Sequence, residues 1–212
     1  MGDGTYAEVI STGATALLPA AFTAEGGIKV GLVDALPAGA NVIGAVVGNL
    51  IAVSAEMTRP GAGDVNAYAA GDVISNSTSA TTLVTLANIF RVASGSGYIV
   101  KIRLVTDKKS ITPRLRLHFF NANNPTIAAD NAPFKEVYAD TTKRVGYYDM
   151  PAMTTATDTT NSDMSRTLDI DVRMPITAAN GSRDLFVAYE TLDAFTPASG
   201  QKFNLTVLLD NN

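Results

Sequence analysis

Few residues in this sequence could do chemistry. The only histidine, His118, lies in "SGYIVKIRLVTDKKSITPRLRLHFFNANNP" (residues 96–125) among the bases Lys101, Arg103, Arg114 and Arg116. A histidine can act as a general base or a metal ligand, but its strand neighbours Arg116 and Phe120 offer no orienting carboxylate. A serine nucleophile needs such a base. The chain has no GxSxG, and "SGSG" at residues 94–97 copies only part of that pattern. Asp169 and Asp171 share one face of a strand pattern, where carboxylates can hold calcium or divide acid and base roles. Arg166 and Arg173 stand close enough to neutralise them, which favours a solvated face. "DTTNSD" (residues 158–163) is rich in oxygen but lacks the glycine and terminal glutamate of a calcium loop. The expectation is therefore no catalytic, cofactor-binding or metal residues, and no enzyme.

The basic residues form one patch only if the strands around Lys101–Arg103 and Arg114–Arg116 pair. With net charge -4 and no interleaved aromatics, nucleic acid is not the expected partner. An acidic protein surface would suit the arginine forks. His118, Arg116 and Phe120 are expected on the outer, wet side of that strand.

The elements that must position these groups are strands. Leu168, Ile170, Val172 and Met174 alternate with Thr167, Asp169, Asp171 and Arg173, and Phe203, Leu205, Val207 and Leu209 follow the same period of two. "RLRLHFF" sets Leu115, Leu117 and Phe119 inward. "YIVKIRLV" sets Val100, Ile102 and Leu104 against Lys101 and Arg103. "LVTLANIFRV", "RVGYYDM" and "DLFVAYETL" add candidates. Asn180-Gly181 is the strongest hairpin signal, and Asn-, Thr- and Asp-rich loops fill much of the remainder. Seven or eight strands without a crossover helix predict an all-β fold: an antiparallel two-sheet β-sandwich, plausibly a jelly roll, over residues 61–212.

Residues 1–60 read differently. Up to residue 55 the charges are Asp3, Glu8, Glu25, Asp34 and Lys29, and every other base lies at or beyond Arg59. Short β-prone runs at 28–33, 42–47 and 50–55 are separated by "LPAGAN" and Gly48-Asn49. Such a segment has little bulk with which to offset the roughly 1–2 kcal/mol of backbone entropy per ordered residue. It is expected to be an extended arm with short hairpins that orders against neighbouring subunits. Charged residues make up only 17% of the chain, against roughly 25% in ordinary soluble domains, which also suggests surface covered by other subunits. There are no cysteines, hence no disulfides or thiolate sites. "MGDGTYAEVI" has no basic region before an apolar stretch, so no secretory leader is expected. The apolar run 42–53 is too short to span a bilayer.

Over roughly residues 67–210 the chain resembles structural proteins of tailed-bacteriophage virions. The matching phrases are "AYAAGDVISNS", "GSGYIVKIRLVTD", "RLRLHFFNANNPTIAADNAPF", "VGYYDMPAM" and "YETLDAFTPASGQKFNLTVLLD", together with the earlier "LPAGANVIG". The resemblance implies a decoration or cement protein on the capsid exterior, with the major capsid protein as partner and a homo-oligomer, most simply a trimer. It transfers no functional residues. Two other readings fit the sequence: a tail, neck or fibre-base component, and a carbohydrate-binding sandwich module using Tyr147, Tyr148 and Tyr189.

Overall fold

The computed structural model describes residues 21–22, 28–29, 49–61, 63–109, 111–155, 164–167 and 169–211. The chain divides into two units, Met1–Val47 and Gly48–Asn212. In the first, β1 (Ala21–Phe22) pairs antiparallel with β2 (Ile28–Lys29). The rest of the expected arm up to residue 48, including the runs at 30–33 and 42–47, lies outside the described residues.

The second unit is built from β3 (Leu50–Thr58), β4 (Val73–Ile74), β5 (Val84–Leu86), β6 (Ser96–Thr106) and β7 (Leu115–Phe120). A single 3-10 turn at Tyr138–Asp140 follows, then β8 (Arg144–Asp149), β9 (Thr154–Thr155), β10 (Ser165–Arg166), β11 (Ile170–Thr177), β12 (Leu185–Thr191) and β13 (Lys202–Asn211). One sheet runs β3-β13-β6, with β11 beside β6 and the short β10 and β9 continuing from its end. The other runs β4-β12-β7-β8, with β5 also on β12. All pairings are antiparallel. If β4 and β5 count as one broken strand, and the short β9 and β10 are set aside, the sheet orders become 1-8-3-6 and 2-7-4-5. The chain thus passes repeatedly between the two sheets, which is jelly-roll topology. The expected fold class is what the structure shows.

Leu50–Thr58 was expected within the arm. It is instead an edge strand of the first sheet, paired with β13 over nine residues, because its odd positions complete the core. Met57 is buried, and Val53 and Ala55 pack against that core. The break between units therefore falls at 47/48, and 60/61 lies within the second unit.

Phe203, Leu205, Val207 and Leu209 are fully buried, as their alternation requires. In β6 the inward set differs from expectation. Ile99, Ile102 and Leu104 point in, while Val100 is only half-buried. The register with both β13 and β11 slips at this point, and one extra residue rephases the strand. Asn180-Gly181 forms a turn, with Gly181 at φ +76 and Ser182 N–H donating to Ala179 O. It does not close a hairpin, because β11 and β12 belong to different sheets.

Candidate functional site

Strand β7 places its two faces in different surroundings. Leu115, Leu117 and Phe119 enter the inter-sheet core, while Arg116, His118 and Phe120 face away from it. That second face is not wet. Leu83, Phe120, Phe186 and Ala188 form a separate buried cluster there, covered by Ile127 and Phe134 from the loop after β7. This cover explains the unbroken apolar run of β12, since a strand buried on both faces loses its alternation. His118, expected to be exposed, is only 2% exposed, and its ring stacks on Phe134 at 3.9 Å and 8°.

Around His118 the side chains form a closed ionic cluster. Its Nε2 lies 2.8 Å from Glu190 Oε2 on β12. Arg116 grips Asp149 on β8 through Nε at 2.6 Å and Nη2 at 2.9 Å, and its Nη1 lies 3.6 Å from Glu190. A register shift opposite Phe119–Phe120 brings Arg144 onto the face of Tyr147 and Asp149. Arg144 then pairs with Glu136, and the guanidinium carbons of Arg116 and Arg144 lie 4.9 and 5.0 Å from the Tyr147 ring centre. Burial, then the Arg144 and Arg116 charges, push the imidazole pKa down to about 3. These effects outweigh the opposing charge of Asp149, and a neutral ring protonated at Nε2 donates to Glu190. Burial in turn raises Glu190, while Arg116 opposes the rise. Hydrogen bonds from Arg116 hold Asp149 below the usual carboxylate range. A ring with so low a pKa is a poor proton acceptor near neutrality.

The other candidates are also occupied structurally. The basic patch does not form, because β6 and β7 lie in different sheets. On β6, Lys101 faces Asp171 at 3.7 Å and Arg103 faces Asp169 at 3.9 Å. The cross-strand partners of the aspartates are thus on β6, whereas the nearby Arg173 lies 5.1 Å from the Tyr98 ring centre. Arg114 chelates Asp193, holding its pKa at about 2, beside an open depression of about 320 Å³ between residues 111–113 and 193–196. Ser94 Oγ donates to Asn180 Oδ1 and accepts the Gly181 N–H at 2.8 Å, so it pins a turn. Tyr147 is exposed, Tyr148 packs against the core and Tyr189 is 1% exposed, so no shared stacking platform exists. Asp158 and Asp163 lie outside the described residues. Among the described residues, no three His, Cys, Asp or Glu side chains are placed to hold a metal ion, and no helix is long and apolar enough to cross a membrane.

Sequence reasoning missed a second cluster. Arg59, 1% exposed, donates to the Tyr68 hydroxyl, to Asp130 Oδ2 at 3.0 Å and to Ala198 O at 3.2 Å. Asp130 Oδ1 also accepts Tyr68 O–H and Ser75 N–H, each at 2.7 Å. Burial, followed by the bond to Asp130, raises the Tyr68 pKa. Four loops meet on this buried charge, which makes it a rivet between them.

No family model and no curated protein matches the chain. Among solved structures, a full particle of Israeli acute paralysis virus heated to 63 degrees aligns over 100% of this chain and 87% of its own. The identity is 14% and the TM-score 0.29, too loose to bear on function. The jelly-roll assignment rests on strand order alone.

Proposed function

We propose that this chain is a virion structural protein of the decoration or cement type, bound to the outer surface of a capsid. The observation that carries this reading is how its reactive side chains are used. His118 is neutral and locked to Glu190, Ser94 pins a turn, and the arginine forks are closed on carboxylates of their own fold. Among the described residues no nucleophile, base and orienter stand in register, and such a body suits scaffolding. The sparsely charged segment before β3 supplies a tether to neighbours, whose main-chain pairing gives affinity without charge. The partners on this reading are the major capsid protein and further copies of the chain, with a trimer as the simplest closed assembly.

The test is binding of the purified protein to expanded capsid shells. Saturation at a fixed ratio per shell supports the reading, and failure to bind overturns it. Deleting residues 1–47 spares β3, so the jelly roll should remain folded while shell binding falls. Labelling of intact particles that marks only the tail or one vertex would instead select a tail, neck or fibre-base role.

A further inference from the structure

The outer edge of β3 differs from the other sheet edges. Asn211 N–H donates to Asn49 O at one end of the strand, and Arg59 N–H donates to Gln201 O at the other. Odd-numbered residues therefore bond to β13, and Leu50, Ala52, Ser54, Glu56 and Thr58 direct their main-chain N–H and C=O groups away from it. No described strand takes up this row. Exposed edges are normally blunted by bulges, proline, charge or short length. Strand β11 has Pro175, a register shift, Asp171 and Arg173. Strand β8 has a shift, Arg144 and Asp149, and β4 and β5 are two and three residues long. Strand β3 has none of these devices. Its register with β13 is continuous, and its one charge, Glu56, is bound by Lys202 at 2.9 Å.

We propose that this edge pairs antiparallel with the same edge of a second copy, about a twofold axis at Ser54. The strand is self-complementary in that register. Ser54 faces Ser54 of the other copy, Ala52 faces Glu56, and Leu50 faces Thr58. All are outward-bonding positions, so the five pairs exchange about ten main-chain hydrogen bonds. On the outer face the Ser54–Thr206 hydroxyl contact, 2.8 Å within one copy, becomes a four-residue ladder. On the inner face Ile51 meets Met57 and Val53 meets Ala55, which covers the half-buried Ile51, Val53 and Ala55. Glu56 meets no like charge. An isologous contact of this kind does not build a threefold ring. It joins one assembly to the next, and it stands independently of any capsid role.

Sedimentation velocity of the full chain over a range of concentrations tests the contact. The wild type should dimerise reversibly through this edge, and Ser54→Ala should behave likewise. Ser54→Pro removes an outward N–H along with the hydroxyl that Ser54→Ala controls for, and should leave a folded protein that no longer associates through this edge. The register is tested by charge. Ala52→Glu puts a carboxylate opposite Glu56 twice per dimer and should weaken association by about 5-fold or more, whereas Ala52→Lys should leave it equal or tighter. A wild type showing no self-association through β3, or Glu and Lys variants shifting alike, overturns the proposal and assigns the edge to another strand, such as the segment before β3. Shell binding is read in a separate assay, so failure of one result leaves the other standing.

Discussion

His118 Nε2 sits 2.8 Å from Glu190 Oε2 while its Nδ1 is buried without a partner. Protonation would add a charge beside Arg144 and Arg116 and beneath Phe134. The folded-state pKa, near 3, is below the ordinary 6.5, so the unfolded chain takes up this proton first. Stability from the neutral ring is fully present above about pH 6.5 and declines as pH falls towards 3. The raised Glu190 works in the opposite direction, gaining protons on folding as pH drops towards its ordinary value of 4.5. Between pH 6.5 and 5 the histidine should dominate, since it is the chain's only one. Chemical denaturation at half-unit pH steps should show this loss. His118→Gln should flatten it, at a cost of about 1–2 kcal/mol at pH 7.5 from lost packing.

The buried ion pair should be less tolerant. Asp130→Ala takes from the buried Arg59 guanidinium its nearest carboxylate, leaving only Asp64 at 3.6 Å, and also removes the acceptor of Tyr68 O–H and Ser75 N–H. Loss of one partner from a buried pair costs about 3–5 kcal/mol. The surface pair Arg103–Asp169, 3.9 Å apart and half-exposed, provides the contrast. Asp169→Ala should change stability by less than about 1 kcal/mol. Equal effects in urea denaturation would remove Arg59 from its place as the rivet of the loops.

How far these positions could be read in advance depended on what covers each strand. Strand β13 exposes one face, so its alternation alone identified four core residues. The outer face of β7 becomes buried only because the loop after it returns with Ile127 and Phe134, a contact no local period records. The bulge at Val100 reversed one residue's side for the same reason: its cause lies in two neighbouring strands. Asn180-Gly181 announced a turn correctly, yet which sheets it connects is a property of the whole topology. Arg59 gave no signal, as its partner Asp130 sits 71 positions away in an irregular loop. Asp169 and Asp171 are on the wet face as expected, neutralised across strands by Arg103 and Lys101.

Tyr189 projects from β12 into the inter-sheet core, where its hydroxyl has no hydrogen-bond partner. Burial alone pushes its pKa up. An unsatisfied buried hydroxyl carries a desolvation cost of about 1–3 kcal/mol that its removal relieves. Tyr189→Phe keeps the ring beside Phe203 and should be neutral or stabilising by about 1 kcal/mol. A drop of more than 1 kcal/mol in thermal or urea unfolding would mean that the hydroxyl is satisfied by a buried water.

Two glycines should respond unequally to the same added methyl group. A Cβ on Gly97 would lie 2.3 Å from Asp210 O and 3.2 Å from Asn211 Cα, both backbone atoms of β13. Neither can retreat without opening the central β6–β13 ladder, in which Gly97 pairs with Asn211. A Cβ on Gly146 would meet Met174 Sδ at 2.8 Å, but that neighbour is the end of a flexible, half-buried side chain. Methionine adapts through three rotatable bonds, whereas paired backbone does not. Gly97→Ala should therefore cost about 3 kcal/mol or more and Gly146→Ala about 1 kcal/mol or less. Matching losses in a denaturation series would show that β6 and β13 are not packed as tightly at Gly97 as their register requires.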